Sequence, residues 1–251
     1  MRELSEEEFH RYARHLILDD VGEEGQAKLL DARVVIVGAG GLGAPVSIYL
    51  AAAGVGTLVV VDDDEVDLTN LQRQIVHATH SVGKPKVESA KEMLAQINPG
   101  IEVVTVAERL TAETMPDVLA GANAVVDGTD NFDTRYALNK ACVAAKVPLI
   151  SGALSRFEGQ LTTILPGEET PCYRCLFPQA PDPSLSLRCS EVGILGAVAG
   201  VIGTLQAVEV LKVLLGIGEP LAGRLMLYDA LGPAFQEVRY AKNPACPDCG
   251  R

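Results

Sequence analysis

The chain has 251 residues, 48% of them hydrophobic, and a formal net charge of −12 at pH 7; its sequence pI is about 4.8 and its mean hydropathy +0.20. That is enough apolar material for a large α/β domain with a substantial core, and it excludes a small disulfide-stapled scaffold. The acidic balance argues against nucleic acid or an anionic membrane as the main partner, because a phosphate-rich surface repels such a chain on average.

The opening stretch, MRELSEEEFHRYARHL, carries acids where a secretory signal would be apolar, so a cytoplasmic protein is expected. Six cysteines must then be explained without structural disulfides. Ser5 and Glu8 have the spacing of a capping box, and Phe9, Tyr12, Ala13, Leu16 and Ile17 recur at helical spacing. This predicts one amphipathic opening helix with Arg11 and Arg14 on its polar face. Residues 34–37 read as a buried strand, after which Gly38, Gly40 and Gly43 fall in the G-x-G-x-x-G pattern. Glycines at this spacing permit a tight turn and bring backbone N–H groups close to phosphate oxygens, while a helix beginning near Leu42 aims its positive end at the same place. A second apolar strand, Thr57–Val61, ends in Asp62, placed to accept hydrogen bonds from ribose hydroxyls.

Lys86–Ile97 follows as a helix bounded by Pro85 and by Asn98-Pro99. Strands are expected at 101–107, Ala124–Asp127 and 148–151, with helices near 112–119 and 134–145 between them; this β-α alternation predicts a parallel sheet. Beyond Ser151 the rhythm changes. A strand at 160–165 precedes a proline- and glycine-rich loop over 166–183, then an apolar run over 192–205 that Gln206, Glu209 and Lys212 interrupt before it reaches the ~20 residues a bilayer needs. A buried helix is expected there, with Gly196, Gly200 and Gly203 thinning one face for close packing. Arg224–Asp229 and 235–239 read as a strand pair. The expected architecture is an α/β fold with a Rossmann-like, mostly parallel sheet and an antiparallel C-terminal extension. It forms one domain over 1–251, whose nucleotide-binding half is 31–151 and whose second half is 152–251.

The glycine fingerprint alone permits an NAD-dependent oxidoreductase, but nothing downstream supplies an obvious acid for hydride transfer. Asn70, Arg73 and Lys86 instead put two cations and an amide after the second strand, where they could reach a triphosphate tail. ATP carries roughly four negative charges, and one cation at ~4 Å contributes about 4 kcal/mol at an effective dielectric near 20, so several are needed. The alternative for Arg73 and Lys86 is solvated surface charge. Asp127-Gly128-Thr129-Asp130-Asn131 lies at the carboxyl end of a predicted strand, the edge where open α/β sheets bind ligands. Asp130 is the candidate for holding Mg²⁺ against phosphate oxygens, with Asn131 a candidate nucleotide contact; the alternative is that Asp130 caps the next helix. Cys172 and Cys175, with Cys246 and Cys249, form two C-x₂-C pairs that suit tetrahedral zinc, redox thiols being the alternative. Cys142 sits inside a predicted helix and reads as core.

Taken together, VGAGGLG, VDDDEVDLTNLQRQ, VGKPKVESA, VVDGTDNFDTR, CYRC and the terminal CPDC resemble the MoeB/ThiF/HesA adenylyltransferases, bacterial relatives of the ubiquitin-activating enzymes, and the resemblance runs over essentially the whole chain. It implies that ATP and the C-terminal glycine carboxylate of a small ubiquitin-like sulfur carrier give an acyl-adenylate and pyrophosphate. Under that resemblance the glycine loop around Gly41 lies beneath the phosphates and Asp62 holds the ribose. Asn70, Arg73 and Lys86 contact the triphosphate, and Asp130 is the magnesium-linked acid. Arg14 matches a residue that reaches into the other subunit's site, which implies a homodimer with composite sites. The resemblance also strengthens zinc as a structural tie at the four cysteines. It makes Cys189 a candidate for attack on the adenylate or for a bond to the carrier, with neighbouring Arg188 favouring thiolate; an inert thiol is the alternative. A MoaD-like carrier for molybdopterin synthesis fits SGALSRFEGQL and SEVGILG, and a ThiS-like carrier for thiazole synthesis is the runner-up. With no rhodanese-like extension after Cys249, a separate sulfur donor is expected.

Overall fold

The computed structural model describes residues 2–180 and 193–250. Three strands, β1 (Arg33–Val37), β2 (Thr57–Val61) and β4 (Ala124–Asp127), are almost wholly buried, as strands covered on both faces must be. With β3 (Glu102–Val106) they pair in parallel in the order β3-β2-β1-β4. β5 (Leu149–Ser155) continues the parallel ladder only from Val125↔Leu149 to Asp127↔Ser151, then runs on as one arm of an antiparallel pair with β6 (Glu158–Ile164). β7 (Arg224–Asp229) and β8 (Ala234–Arg239) extend that antiparallel side, giving an eight-stranded sheet in the order β3-β2-β1-β4-β5-β6-β7-β8. The sheet is parallel from β3 to β5 and antiparallel beyond β5, as the sequence predicts.

Side chains alternate between two cores. Val34, Ile36, Leu58 and Val60 face α4 (Gly43–Ala53), α5 (Lys86–Ile97) and the long α9 (Gly196–Leu215). Val35, Val37, Val59 and Val61 face α6 (Met115–Leu119) and α7 (Phe132–Ala145). Before β1 lie α1 (Glu6–Arg11), α2 (Ala13–Leu16) and α3 (Gly22–Asp31). The Ser5–Glu8 capping box forms, but the single opening helix does not. It breaks at Tyr12 because that ring turns inward onto Gly54, where any Cβ would lie 2.5 Å from it, and its hydroxyl accepts a hydrogen bond from Asn98 Nδ2 at 2.9 Å.

Two other elements differ from expectation. The helix expected at 112–119 starts only at Met115, because the hydroxyls and backbone of Thr111 and Thr114 bond to each other in a local turn. The loop expected over 166–183 contains the short helix α8 (Tyr173–Leu176).

By length and composition α9 could cross a bilayer, yet it packs on α4, β5 and β6. The polar residues that interrupt its apolar run bond to neighbouring elements, although Gln206 Oε1 is buried without a partner among the described residues. Gln206 Nε2 donates to the carbonyls of Asp127 and Ile150 at 2.9 and 3.2 Å, and Glu209 accepts from Thr163 Oγ1 and Leu221 N. Two of its three small positions are close approaches. A Cβ on Gly203 would sit 2.4 Å from Pro45 Cγ, and one on Gly196 would sit 2.1 Å from the carbonyl oxygen of Gln72. Gly200 has nothing within 4 Å, so close packing does not explain it. Urea unfolding should therefore show Gly203→Ala destabilised by about 1–3 kcal/mol or more through forced repacking, whereas Gly200→Ala should lose no stability.

Candidate nucleotide site and cysteine cluster

The carboxyl ends of β1, β2 and β4 bring three sequence motifs together. Gly38 leaves β1 with φ +96°, and a Cβ there would lie 2.8 Å from the carbonyl oxygen of Gly128. Gly43 is tighter still, since a Cβ would lie 1.8 Å from the carbonyl oxygen of Gly38. Gly128 N donates to Val37 O at 2.9 Å, so the β4 loop rests directly on the glycine turn. Gly40 and Gly41 sit beside the third motif: a Cβ on Gly40 would meet Gln74 Nε2 at 3.6 Å, and one on Gly41 would meet Ala199 Cβ at 3.4 Å and Arg73 Cγ at 3.6 Å.

Asp62 braces this turn. Its Oδ2 accepts from Ala39 N at 2.7 Å and its Oδ1 from Asp64 N at 2.9 Å, which leaves further lone pairs for a ligand. Burial pushes its carboxyl above the usual carboxylate range, against the opposing pull of Lys86. Lys86 is no solvated surface charge. Its side chain is 7% exposed, with Nζ 2.7 Å from Asp64 Oδ2 and 3.8 Å from Asp62 Oδ1. Asn70 closes a capping box with Asp67, its Oδ1 accepting from Asp67 N, so its amide N–H groups are what it can offer a ligand. Arg73 uses one donor on Thr69 O at 3.2 Å.

The two acids after β4 differ sharply. Asp127 is fully buried: Oδ1 accepts from Thr129 N and Oγ1, Oδ2 accepts from Ser151 Oγ, and Arg135 Nε lies 3.2 Å from Oδ2. Asp130 is exposed, and among the described residues nothing forms a hydrogen bond or ion pair with its carboxylate. It does not cap α7, because Asn131 does, accepting from Thr134 N at 2.9 Å. That bond uses one lone pair of the Asn131 side-chain oxygen and leaves its amide N–H groups available.

Cys172, Cys175, Cys246 and Cys249 converge across the gap between their two motifs, with all four sulfurs within 4.8 Å of one another. The 172–246, 175–249 and 172–175 separations are 3.6, 3.4 and 4.0 Å. These bracket the ~3.8 Å edge of a tetrahedron whose thiolates lie ~2.3 Å from one metal ion. Asn139 Nδ2 lies 3.6 Å from Cys172 Sγ, and Asn243 N lies 3.4 Å from Cys175 Sγ, which is hydrogen-bond support of the sort metal thiolates receive. Cys142 is core, its thiol pushed by burial to about 12.

Arg14 is exposed on α2, outside the group formed by Gly38–Gly43, Asp62, Arg73, Lys86 and Asp130. Cys189 and Arg188 lie outside the described residues. The sequence reading missed Asp64 as the partner of Lys86, His77 and Gln74 beneath the glycine turn, and Arg135 beside Asp127. Asp64 and Arg135 stand inside the motifs VDDDEVD and VVDGTDNFDTR, where a buried cation's need for an acid was the available signal.

Comparison with known proteins bears on this arrangement. The ThiF family profile matches residues 12–248. The SAMP-activating enzyme E1 of Haloferax volcanii is 52% identical over 240 residues, covering 96% of this chain and 88% of that protein. The molybdopterin-synthase adenylyltransferase of Salmonella typhimurium is 47% identical over 251 residues, covering all of both. The ThiS adenylyltransferase of Escherichia coli is 45% identical over 98% of this chain and 97% of that protein. Among solved structures, E. coli MccB with ATP superposes with a TM-score of 0.82 at 29% identity, covering 96% of this chain and 73% of that one.

His77 yields a pH test of how tightly the glycine turn is held. Its Nε2 donates to Ala39 O at 3.0 Å and its Nδ1 meets Ser89 Oγ at 3.0 Å. Burial first, and then the nearby Lys86 ammonium, hold its pKa below the ordinary histidine value, against the pull of the Ala39 carbonyl. A histidine lowered in the folded state contributes stability that is present above ~6.5 and is lost as pH falls towards the folded value. Unfolding free energy measured from pH 7.5 to 5 should fall, and His77→Gln should flatten that part of the profile.

Proposed function

This chain belongs to the ThiF family, and we propose that it is an ATP-dependent adenylyltransferase acting on the C-terminal glycine carboxylate of a small ubiquitin-like sulfur carrier ending in Gly-Gly. A MoaD-like carrier for molybdopterin synthesis is the primary reading, since the Salmonella relative named for that reaction aligns end to end with this chain. A ThiS-like carrier is the second, supported by the E. coli relative. The observation that carries the assignment is the meeting at one sheet edge of a glycine turn, a buried lysine and an exposed acid.

The residues divide the work by charge. Backbone around Gly40 and Gly41 lies under the phosphates, and Asp62 receives the ribose hydroxyls on the lone pairs it has left. Lys86 exchanges the exposed Asp64 for a phosphate oxygen, while Arg73 and the Asn70 amide supply further donors. The carrier's terminal carboxylate oxygen attacks the α-phosphorus, the bond from that phosphorus to the bridging oxygen breaks, and pyrophosphate leaves with the electron pair. Positioned cations are what such a transfer requires, since the protein need form no covalent bond. Asp130 fits Mg²⁺ because, among the described residues, its exposed carboxylate has no hydrogen-bond or ion-pair partner, whereas that of Asp127 is filled. Bound there, the ion would offset charge on the phosphate oxygens.

Exposed Ile17 and Leu18 beside Arg14, with exposed Tyr49 and Val208 on α4 and α9, support a homodimer in which Arg14 serves the partner's site. The 152–251 half holds the carrier and Zn²⁺, the latter bound by Cys172, Cys175, Cys246 and Cys249 in a structural role. The cysteines, unpaired as disulfides among the described residues, suit the reducing cytoplasm.

ATP–pyrophosphate exchange tests the reading. Exchange should appear with a Gly-Gly carrier and vanish when its last glycine is deleted; absence with both MoaD-like and ThiS-like carriers would sink it. Asp130→Ala should abolish exchange with the fold intact, and Lys86→Ala or Arg73→Ala should slow it by about 10³-fold. Mixing Arg14→Ala with Asp130→Ala protein should restore part of the activity through one intact composite site. No recovery despite proven subunit exchange would exclude that arrangement.

A further inference from the structure

We propose that Arg135 is a positioning residue, whose guanidinium fixes the peptide leading into Asp130 and so sets where that carboxylate meets a phosphate-bound divalent cation. The inference rests on the reading of Asp130 given above and extends it to a residue that never touches the nucleotide.

Arg135 stands in the first turn of α7 and is buried. Its Nη2 donates to Thr129 O at 2.6 Å and to Gly152 O at 3.1 Å, and its Nε lies 3.2 Å from Asp127 Oδ2. The rings of Phe132 and Tyr173 each lie 5.9 Å from its Cζ. A buried cation is a costly way to fill space between a helix and a sheet, where an apolar side chain serves as well or better. What the guanidinium adds is a rigid planar fork.

The fork is placed where the parallel ladder stops. The last β4–β5 pair is Asp127↔Ser151, so Gly152 is the first β5 residue without a β4 neighbour, and Arg135 joins its carbonyl to that of Thr129. The other polar groups flanking Asp130 are also tied down. Thr129 N and Oγ1 donate to Asp127 Oδ1, Asn131 Oδ1 accepts from Thr134 N, and Arg135 N donates to Asn131 O at 3.3 Å. The Asp130 side chain thus projects from a backbone pinned on both sides, and the pins converge on the Asp127–Arg135 pair. A lysine could keep the charge beside Asp127, but its ammonium ends one bond short of Nη2, the nitrogen that donates to both carbonyls.

The test is calorimetric titration of ATP into the full-length, metal-replete protein, in Mg²⁺-free buffer and over a series of Mg²⁺ concentrations, so that no variant needs to turn over. Arg135→Lys should weaken Mg²⁺ binding to the ATP complex about tenfold, the usual scale for losing a group that orients a metal ligand. Its Mg²⁺-free ATP affinity should stay unchanged, and the Mg²⁺ effect should disappear in an Asp130→Asn background. Unchanged Mg²⁺ affinity in Arg135→Lys, or an equal loss with Asp130 already replaced, overturns the proposal. If Asp130→Asn alone leaves Mg²⁺ affinity intact, it is the reading of Asp130 that fails. Should Arg135→Lys not fold, Thr129→Val, which removes only the hydroxyl bond to Asp127, should shift Mg²⁺ affinity in the same direction; no shift overturns the proposal.

Discussion

The site depends on two stretches of backbone approaching each other more closely than side chains allow. Gly38 and Gly43 bring the turn after β1 onto itself, and Gly128 brings the loop after β4 onto the turn, each at a separation where a Cβ would meet a backbone atom. Without this contact the glycine turn and the Asp130 loop would stand apart by a side-chain layer. The parallel register of β1 with β2 and β4 then fixes the rest: Val37 lies level with Val61 and with Asp127, so Gly38, Asp62 and Gly128 leave the sheet at one height.

Two buried cations flank that contact, and their partners explain their different roles. Arg135 is paired with Asp127, which is sealed from solvent and has its acceptors filled. Neither group can change partner without leaving a charge uncompensated in the interior, which costs about 3–5 kcal/mol. Lys86 is equally buried, but its nearest partner, Asp64, is 68% exposed. Water can take over that carboxylate, so an incoming anion could replace it on the ammonium without stranding an ion. The first pair is a fixture and the second an exchangeable contact, although both are a buried base beside an acid.

Much of this is legible in the amino-acid order because the site is built from local motifs on short strands. Lys86–Ile97, Thr57–Val61 and Ala124–Asp127 form over the expected residues, since Pro85 and Asn98-Pro99 bound the helix and unbroken apolar runs mark the strands. What sequence reasoning missed depends on contacts distant in the chain. Tyr12 interrupts the opening helix because of Gly54 and Asn98, and helical periodicity carries no trace of either. The sequence reading singles out Asp130, but the Arg135 and Ser151 partners that fill Asp127 come from α7 and β5, which the shared motif cannot express. Gly200 shares the spacing of Gly196 and Gly203 but not their neighbours.

The antiparallel half bears on the site through α7, whose two ends face different tasks. The first turn holds the Asp130 loop through Asn131 and Arg135. Further along, Tyr136 Oη donates to Phe177 O at 2.8 Å, and Asn139 accepts from Tyr173 N while its amide reaches Asp248 Oδ2 at 2.8 Å and Cys172 Sγ at 3.6 Å. Arg174 closes the far side, with Nε 2.9 Å from Asp248 Oδ2 and its Cζ 4.4 Å from the Tyr136 ring centroid. A four-residue helix such as α8 has no stability of its own, because a single turn fixes more dihedrals than its hydrogen bonds offset. The four cysteine sulfurs, all within 4.8 Å of one another, set α8 against the C-terminal segment. α8 packs in turn on α7, the helix whose first turn carries Arg135.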